Sequence, residues 1–323
     1  MTDLNSYFET IDHPDIRALG PRLQNDDAGV RRIALIELAD LEEPEGLDWL
    51  IDRLAADPAE DVRAQAAVLL EAWEEPEVVQ ALCEALTDPQ ASVRDAAAQS
   101  LSVLKTSEAG RVILPWTAHA LTSVRIAAFR ALRELRLEEA APAALLALTD
   151  EDASVRREAV GVLGWLKQTQ ALETLAALAS HDPDTDVRRA ATGALGLGNG
   201  AEVLPALRTA LRDEAWQVRE EAATTLGKVG HQDAGAALIE ALEDQYWQVR
   251  LRATRSLGRL RHQPALGSLV GTLTHSISNL RKEAALALGE LGDGRARPAL
   301  LQLEHDGDPE VRKAVRIALG QLP

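Results

Sequence analysis

Few side chains in this 323-residue chain are arranged for chemistry. The seven histidines (His13, His119, His181, His231, His262, His275 and His305) are scattered, and no two have the spacing of metal ligands on one helix. Cys83 is the single cysteine, so neither an intrachain disulfide nor a thiolate-rich zinc site can form. It sits in VVQALCEAL, where the apolar period predicts a buried structural thiol rather than a nucleophile. Neither a glycine-rich phosphate loop nor a G-x-S-x-G elbow occurs, and nothing in the sequence pairs two carboxylates in a pocket. The residue types therefore predict no catalytic group, no metal and no cofactor.

One charged residue does recur with a strict register. Arg31, Arg63, Arg94, Arg125, Arg156, Arg188, Arg219, Arg250, Arg281 and Arg312 are separated by 31 or 32 residues. Val precedes each, except at Leu280; Ala follows three residues later, except at Val315; and Leu stands at the seventh position in every copy. Positions −1, +3 and +7 around the Arg are four apart and share one helical face. This stretch is the second helix, B, of each unit. Glycine often stands at position +8 (Gly164, Gly196, Gly227, Gly258, Gly289 and Gly320), where a left-handed residue ending the helix is expected. An apolar-periodic stretch upstream, such as Ala234 to Asp244, is the first helix, A. Two helices of roughly 10–13 residues fill each unit.

A hairpin of this size cannot bury both faces alone, whereas stacked copies form a continuous core. The reading is all-α: an α-solenoid, a right-handed superhelix of about ten hairpins. It forms a single domain over 1–323, with a lead-in at 1–11 and repeats from about 12 to 322. Position +4 is uncharged in nine copies, but the last carries Arg316, as expected for a unit without a successor.

Composition narrows the partners. The formal charge of −17, from 51 acidic and 34 basic residues, repels phosphate backbones and argues against nucleic acid. Between Glu37 and Gln90, 16 acids face only Arg53 and Arg63, a solvated face or a surface that steers a basic partner. The longest nearly apolar run, Ala140 to Thr149, is too short for a bilayer, and the N-terminus lacks the pattern of a secretory signal. A cytoplasmic protein without membrane contact is expected, monomeric or weakly self-associating.

The pattern D-x-x-x-x-V-R-x-x-A-x-x-x-L-G resembles the HEAT-like repeat of the phycobilisome-lyase type over residues 12–322. Copies such as Asp213 to Gly230 also look like designed repeat scaffolds built on that consensus. The family's Asp, six residues before the Arg, is present as Asp57, Asp88, Asp150, Asp182, Asp213, Asp244 and Asp306, and is replaced by Asn25, His119 and His275 elsewhere. The resemblance implies that these Asp and the repeat Arg (Arg63, Arg94, Arg156, Arg188, Arg219, Arg250 and Arg312 among them) form a structural ladder between neighbouring units. It also implies a choice of functions: interaction scaffold, bilin lyase, di-iron hydroxylase or DNA-repair enzyme. The hydroxylases bind iron through His-Glu dipeptides, and this sequence has none.

Two surfaces are candidate binding sites. Positions +1 and +5 of helix B point away from the buried stripe, onto the concave side of such a solenoid. Gly161 and Gly193 both occupy position +5, in consecutive units. They mark either drift at a tolerant site or a shallow trough flanked by Arg130, Arg157 and Arg189, with Thr224 and Arg255 further along. The second surface is a ridge of Trp216, Tyr246 and Trp247, followed by Arg252, Arg255 and Arg259 in an acid-free stretch from Gln245 to Pro264. Trp, Tyr and Arg anchor many interfaces, although this Trp also packs at the turn in designed repeats, and the arginines could pair with acids of adjacent units. The leading reading is a non-catalytic scaffold, adaptor or assembly chaperone that binds another protein; the alternative is a bilin lyase or cofactor-insertion chaperone.

Overall fold

The Val–Ala–Leu stripe of helix B explains how one hairpin packs on the next. In the computed structural model, which describes residues 13–198 and 200–323, that stripe is buried in repeat after repeat: Val62, Ala66 and Leu70, then Val218, Ala222 and Leu226. The lead-in at 1–11 and the start of the first repeat at 12 lie outside the described residues. The described residues are helical throughout, without strands. The chain is thus all-α, built of solenoid-type hairpins, and divides into two compact units, up to Leu166 and from Lys167 to Pro323.

In the first unit the B helices are Ala28–Ala39, Glu60–Leu69, Ala91–Leu101, Thr122–Leu135 and Ala153–Trp165. In the second they are Thr185–Ala194, Trp216–Val229, Trp247–Leu260, Ser278–Leu291 and Pro309–Gln321. Aspartates start four of them: Asp27, Asp152, Asp184 and Asp308 accept hydrogen bonds from first-turn amides. Position +4 is buried at Leu35, Phe129, Ala223 and Ala285, whereas Arg316 of the last repeat is exposed.

Four A helices, Pro14–Leu23, Leu47–Ala56, Pro76–Ala85 and Leu172–His181, have the expected ten residues, and the others are shorter. The stretch from Ala234 to Asp244 divides into Gly235–Glu240 flanked by 3₁₀ turns at Gln232–Ala234 and Ala241–Glu243. The A helix of the last repeat is only Arg297–Leu301. Tightening of the end turns lets a short helix reach its partner without leaving its terminal amides and carbonyls unpaired.

The expected role of the position +8 glycines is corrected. Gly227, Gly258 and Gly289 lie inside their helices, and the left-handed residue comes eleven after the Arg: Glu42 and Arg136 in the first unit, Gly230, Arg261 and Gly292 in the second. At Gly227, Gly258 and Gly289 the glycine serves close packing instead, whereas Gly164 and Gly320 have open space beside them. A Cβ on Gly258 would lie 2.7 Å from the Cα of Ala287, and one on Gly289 2.8 Å from that of Ala318. The next B helix thus crosses almost backbone to backbone. Ser256 exploits the same approach, donating its hydroxyl to the Ala223 carbonyl at 2.7 Å.

Candidate functional site

Each repeat Arg lies one turn into helix B, where its side chain reaches the A–B turn behind it and the turn of the following repeat. In nine of the ten repeats its Nη1 donates to a carbonyl six residues upstream, as in Arg63 to Asp57 O (2.8 Å), Arg94 to Asp88 O (2.7 Å) and Arg312 to Asp306 O (2.7 Å). Its Nε and Nη2 grip the aspartate that heads the next repeat. Within the first unit the pairs are Arg31–Asp57, Arg63–Asp88 and Arg125–Asp150, with closest approaches of 2.7, 2.7 and 2.9 Å. Within the second they are Arg188–Asp213, Arg219–Asp244 and Arg281–Asp306, at 2.7, 2.6 and 2.8 Å. Arg156 donates to its own turn at Asp150 O and Glu151 O, and Asp182 accepts the amide of Asp184.

Each aspartate also accepts the amide two residues on, which shapes its own turn, as Asp88 does with Gln90 (2.8 Å) and Asp244 with Tyr246 (2.8 Å). Burial pushes the Asp57 carboxyl up, but the hydrogen bonds from Arg31 and the Ala59 amide, with the charges of Arg31 and Arg53, hold it below the usual range. Asp88, Asp150 and Asp244 are held low by the same competition. For Asp306 the hydrogen bond from Arg281 is the strongest influence.

Where histidine replaces the aspartate, only half of this arrangement survives. His119 Nδ1 accepts the Leu121 amide at 3.1 Å and His275 Nδ1 that of Ile277 at 3.0 Å, so the turn is kept. The carboxylate for Arg94 and Arg250 is lost.

The expected trough at Gly161 and Gly193 is occupied by the protein's own side chains. A Cβ on Gly161 would meet Arg133 Cδ at 3.0 Å, and one on Gly193 would meet a Glu221 carboxylate oxygen at 3.0 Å. The reason is a second set of charge pairs. In the first unit, buried Glu158 takes Arg130 (3.4 Å), Arg133 (3.3 Å) and Arg157 (3.1 Å). In the second unit, buried Glu283 receives Arg255 in two bonds of 2.7 and 2.8 Å, and Glu220 receives Arg252 at 3.0 Å. Arg189 and Arg259 are exposed, and the Thr224 hydroxyl donates to the Glu220 carbonyl.

Glu158, Glu283, Glu220 and Arg133 were not singled out from the sequence. For Glu158 and Glu283 the signal is an acid at position +2 one repeat after an arginine at +5, visible only when two repeats are read together; Arg133 at +8 and Glu220 at +1 follow no such register.

On the ridge, Trp216 stacks on Tyr246 with centroids 5.5 Å apart and planes 16° apart. The guanidinium of Arg219 lies 5.6 Å from the same Tyr246 ring. Trp216 is half-buried, whereas Tyr246 is 39% and Trp247 37% exposed, an aromatic surface on two successive turns of the second unit.

Cys83 is fully buried in Pro76–Ala85, and burial pushes its thiol up to about 12. Among the described residues, no three His, Cys, Asp or Glu are placed to hold a metal ion, and no helix is long and apolar enough to cross a membrane.

Solved structures of similar fold include an engineered protein, 20% identical with a TM-score of 0.54, covering 96% of this chain and 99% of that one. YibA of Escherichia coli is 21% identical with a TM-score of 0.61, covering 83% and 98%. Importin beta is 16% identical with a TM-score of 0.64, covering 95% of this chain and 50% of its own. At these identities the likeness concerns the fold. No curated protein matches the sequence. The family model for HEAT repeats matches residues 16–102, 47–120, 111–196, 179–246 and 235–320, nearly the whole described chain, and the protein therefore belongs to the HEAT-repeat family.

Proposed function

We propose that this HEAT-repeat chain is a non-catalytic scaffold, adaptor or assembly chaperone, that its ten repeats act as one binding domain in the cytoplasm, and that its partner is another protein. The observation that carries this reading is the ridge of Trp216, Tyr246 and Trp247. Two adjacent large rings, Tyr246 and Trp247, stand more than a third exposed on one turn, and the stack on Trp216 of the preceding turn holds Tyr246 in place before any partner arrives. Prepositioned aromatic surface of this kind loses little side-chain entropy on binding and supplies much of the energy of protein interfaces. The Arg219–Asp244 pair beneath it adds a rigid base.

The alternative reading, a bilin lyase of the phycobilisome-lyase type, requires arginines to hold the propionates of a tetrapyrrole. Arg130, Arg157 and Arg255 are already paired with Glu158 and Glu283, which favours the protein-binding reading.

The test is affinity capture from an extract of the source organism with the unaltered protein and with Tyr246→Ala/Trp247→Ala. One partner recovered by the first and lost by the second, with helical content unchanged, supports the ridge. Equal recovery by both removes it, and a red-shifted bilin spectrum on mixing would favour the lyase.

A further inference from the structure

Five arginines of this fold each hold an aspartate of the next repeat through two hydrogen bonds and Arg125 holds one through Nη2, whereas the position that would face Arg250 carries no aspartate. His275 occupies that position in the following repeat and spends its Nδ1 on the Ile277 amide. Its neutral ring therefore carries its proton on Nε2, as a donor. Arg250 Nε is buried and finds no partner in the protein. A guanidinium N–H removed from water without an acceptor is destabilised, so this group is primed for an anion.

The surroundings provide room. An open cavity of about 260 Å³ is lined by Arg250, His275, Thr254, Ser268, Thr272 and Glu243. The Thr254 and Thr272 hydroxyls donate to the carbonyls of Arg250 and Ser268, which fixes both rotors. The nearby Arg281 is neutralised by Asp306, and exposed Glu243 is the negative group of the lining.

We propose that Arg250, with the Nε2–H of His275 and the Ser268 hydroxyl, forms a binding site for a single carboxylate group. The class follows from the other rungs: a planar two-oxygen acceptor matches the Nε and Nη2 fork, as at Arg219–Asp244 and Arg281–Asp306. One positive charge beside Glu243 disfavours a dianion such as phosphate. The carboxylate comes either from a small free acid or from an Asp or Glu side chain of a partner.

The probes are sodium acetate and a short aspartate-containing peptide with blocked ends, each titrated at constant ionic strength against chloride. The readout is the Arg Nε–H region of the ¹H–¹⁵N spectrum, with the Arg250 signal assigned by its loss in Arg250→Lys. A saturable shift of the Arg250 signal is expected, tighter in Glu243→Gln. In His275→Asp, whose new carboxylate takes the guanidinium, the shift is expected to vanish. Response to both probes assigns the site to free acids as well as side chains, and response to the peptide alone assigns it to a partner. If acetate and peptide move Arg250 no more than exposed Arg189, or if His275→Asp responds like the unaltered protein, the site does not exist.

Discussion

Arg219 and Asp244 belong to successive repeats, yet their side chains meet at two points, Nε to Oδ2 at 2.6 Å and Nη2 to Oδ1 at 3.0 Å. Both side chains are about nine-tenths buried, so removing one leaves a desolvated charge without its partner. Asp244→Ala is expected to cost about 3 kcal/mol, the low end for a broken buried pair. The amides of Trp247–Leu260 should then exchange with deuterium faster. Unchanged exchange there would mean that the pair contributes nothing to the stacking of these repeats.

The aspartates Asp57, Asp88, Asp150, Asp244 and Asp306 all have carboxyls held below their ordinary values. Their contribution is fully present above the unfolded value, about 3.9, and is lost as the pH falls through the folded values beneath it. Thermal unfolding followed by circular dichroism should show little change from pH 7 to 5 and a steep loss of stability below about pH 4.

His275 should behave differently from these carboxylates. Burial lowers its pKa, and the charges of Arg250 and Arg281 lower it further. The neutral form is favoured on folding, so its contribution is present above the unfolded value of about 6.5 and lost as the pH falls through the folded value. His275→Asp should remove this mild acid sensitivity near pH 6. The new charge-assisted pair with Arg250 should stabilise the protein at pH 7 by about 2 kcal/mol. A melting temperature that falls in this variant would contradict the ladder geometry.

Two classes of helical glycine should respond oppositely to alanine. At Gly193 the new Cβ meets only the end of the flexible Glu221 side chain, so Gly193→Ala should gain up to about 1 kcal/mol of helix propensity. At Gly258 it meets the Cα and Cβ of Ala287, and Gly258→Ala should lose about 1–3 kcal/mol through overpacking. Gly193→Arg offers a further check, because an arginine there could reach Glu221 as Arg255 reaches Glu283. Urea unfolding of the three variants measures all of these signs.

Cys83 should resist thiol reagents in the folded protein, since the thiol is both buried and shifted to about 12. Labelling with a coloured disulfide at pH 8 should proceed only at the rate of unfolding and become rapid in denaturant.

The 31-residue register made the repeats and their buried stripe legible, because −1, +3 and +7 must share a face whenever helices of this length stack. The chain's exit from helix B was not legible: Glu42, Arg136 and Arg261 take the left-handed conformation without the glycine that usually marks it. The glycines at +8 looked like stop signals, but Gly227, Gly258 and Gly289 meet a neighbouring helix that a single repeat does not contain. Gly161 and Gly193 pointed to an open surface for the same reason, since Arg133 and Glu221 come from adjacent repeats. Glu158 and Glu283 were unremarkable acids until their arginines, 25 to 28 residues away in sequence, came beside them.

Binding through the aromatic ridge is best examined with a photo-crosslinker in place of Trp247. Trp247→p-benzoylphenylalanine is irradiated in an extract of the source organism, beside Leu146→p-benzoylphenylalanine on an A helix, where the native side chain is 78% exposed. The predicted result is a discrete protein adduct from position 247 that is absent from position 146. The same adducts from both positions, or none from 247, would contradict a protein-binding ridge.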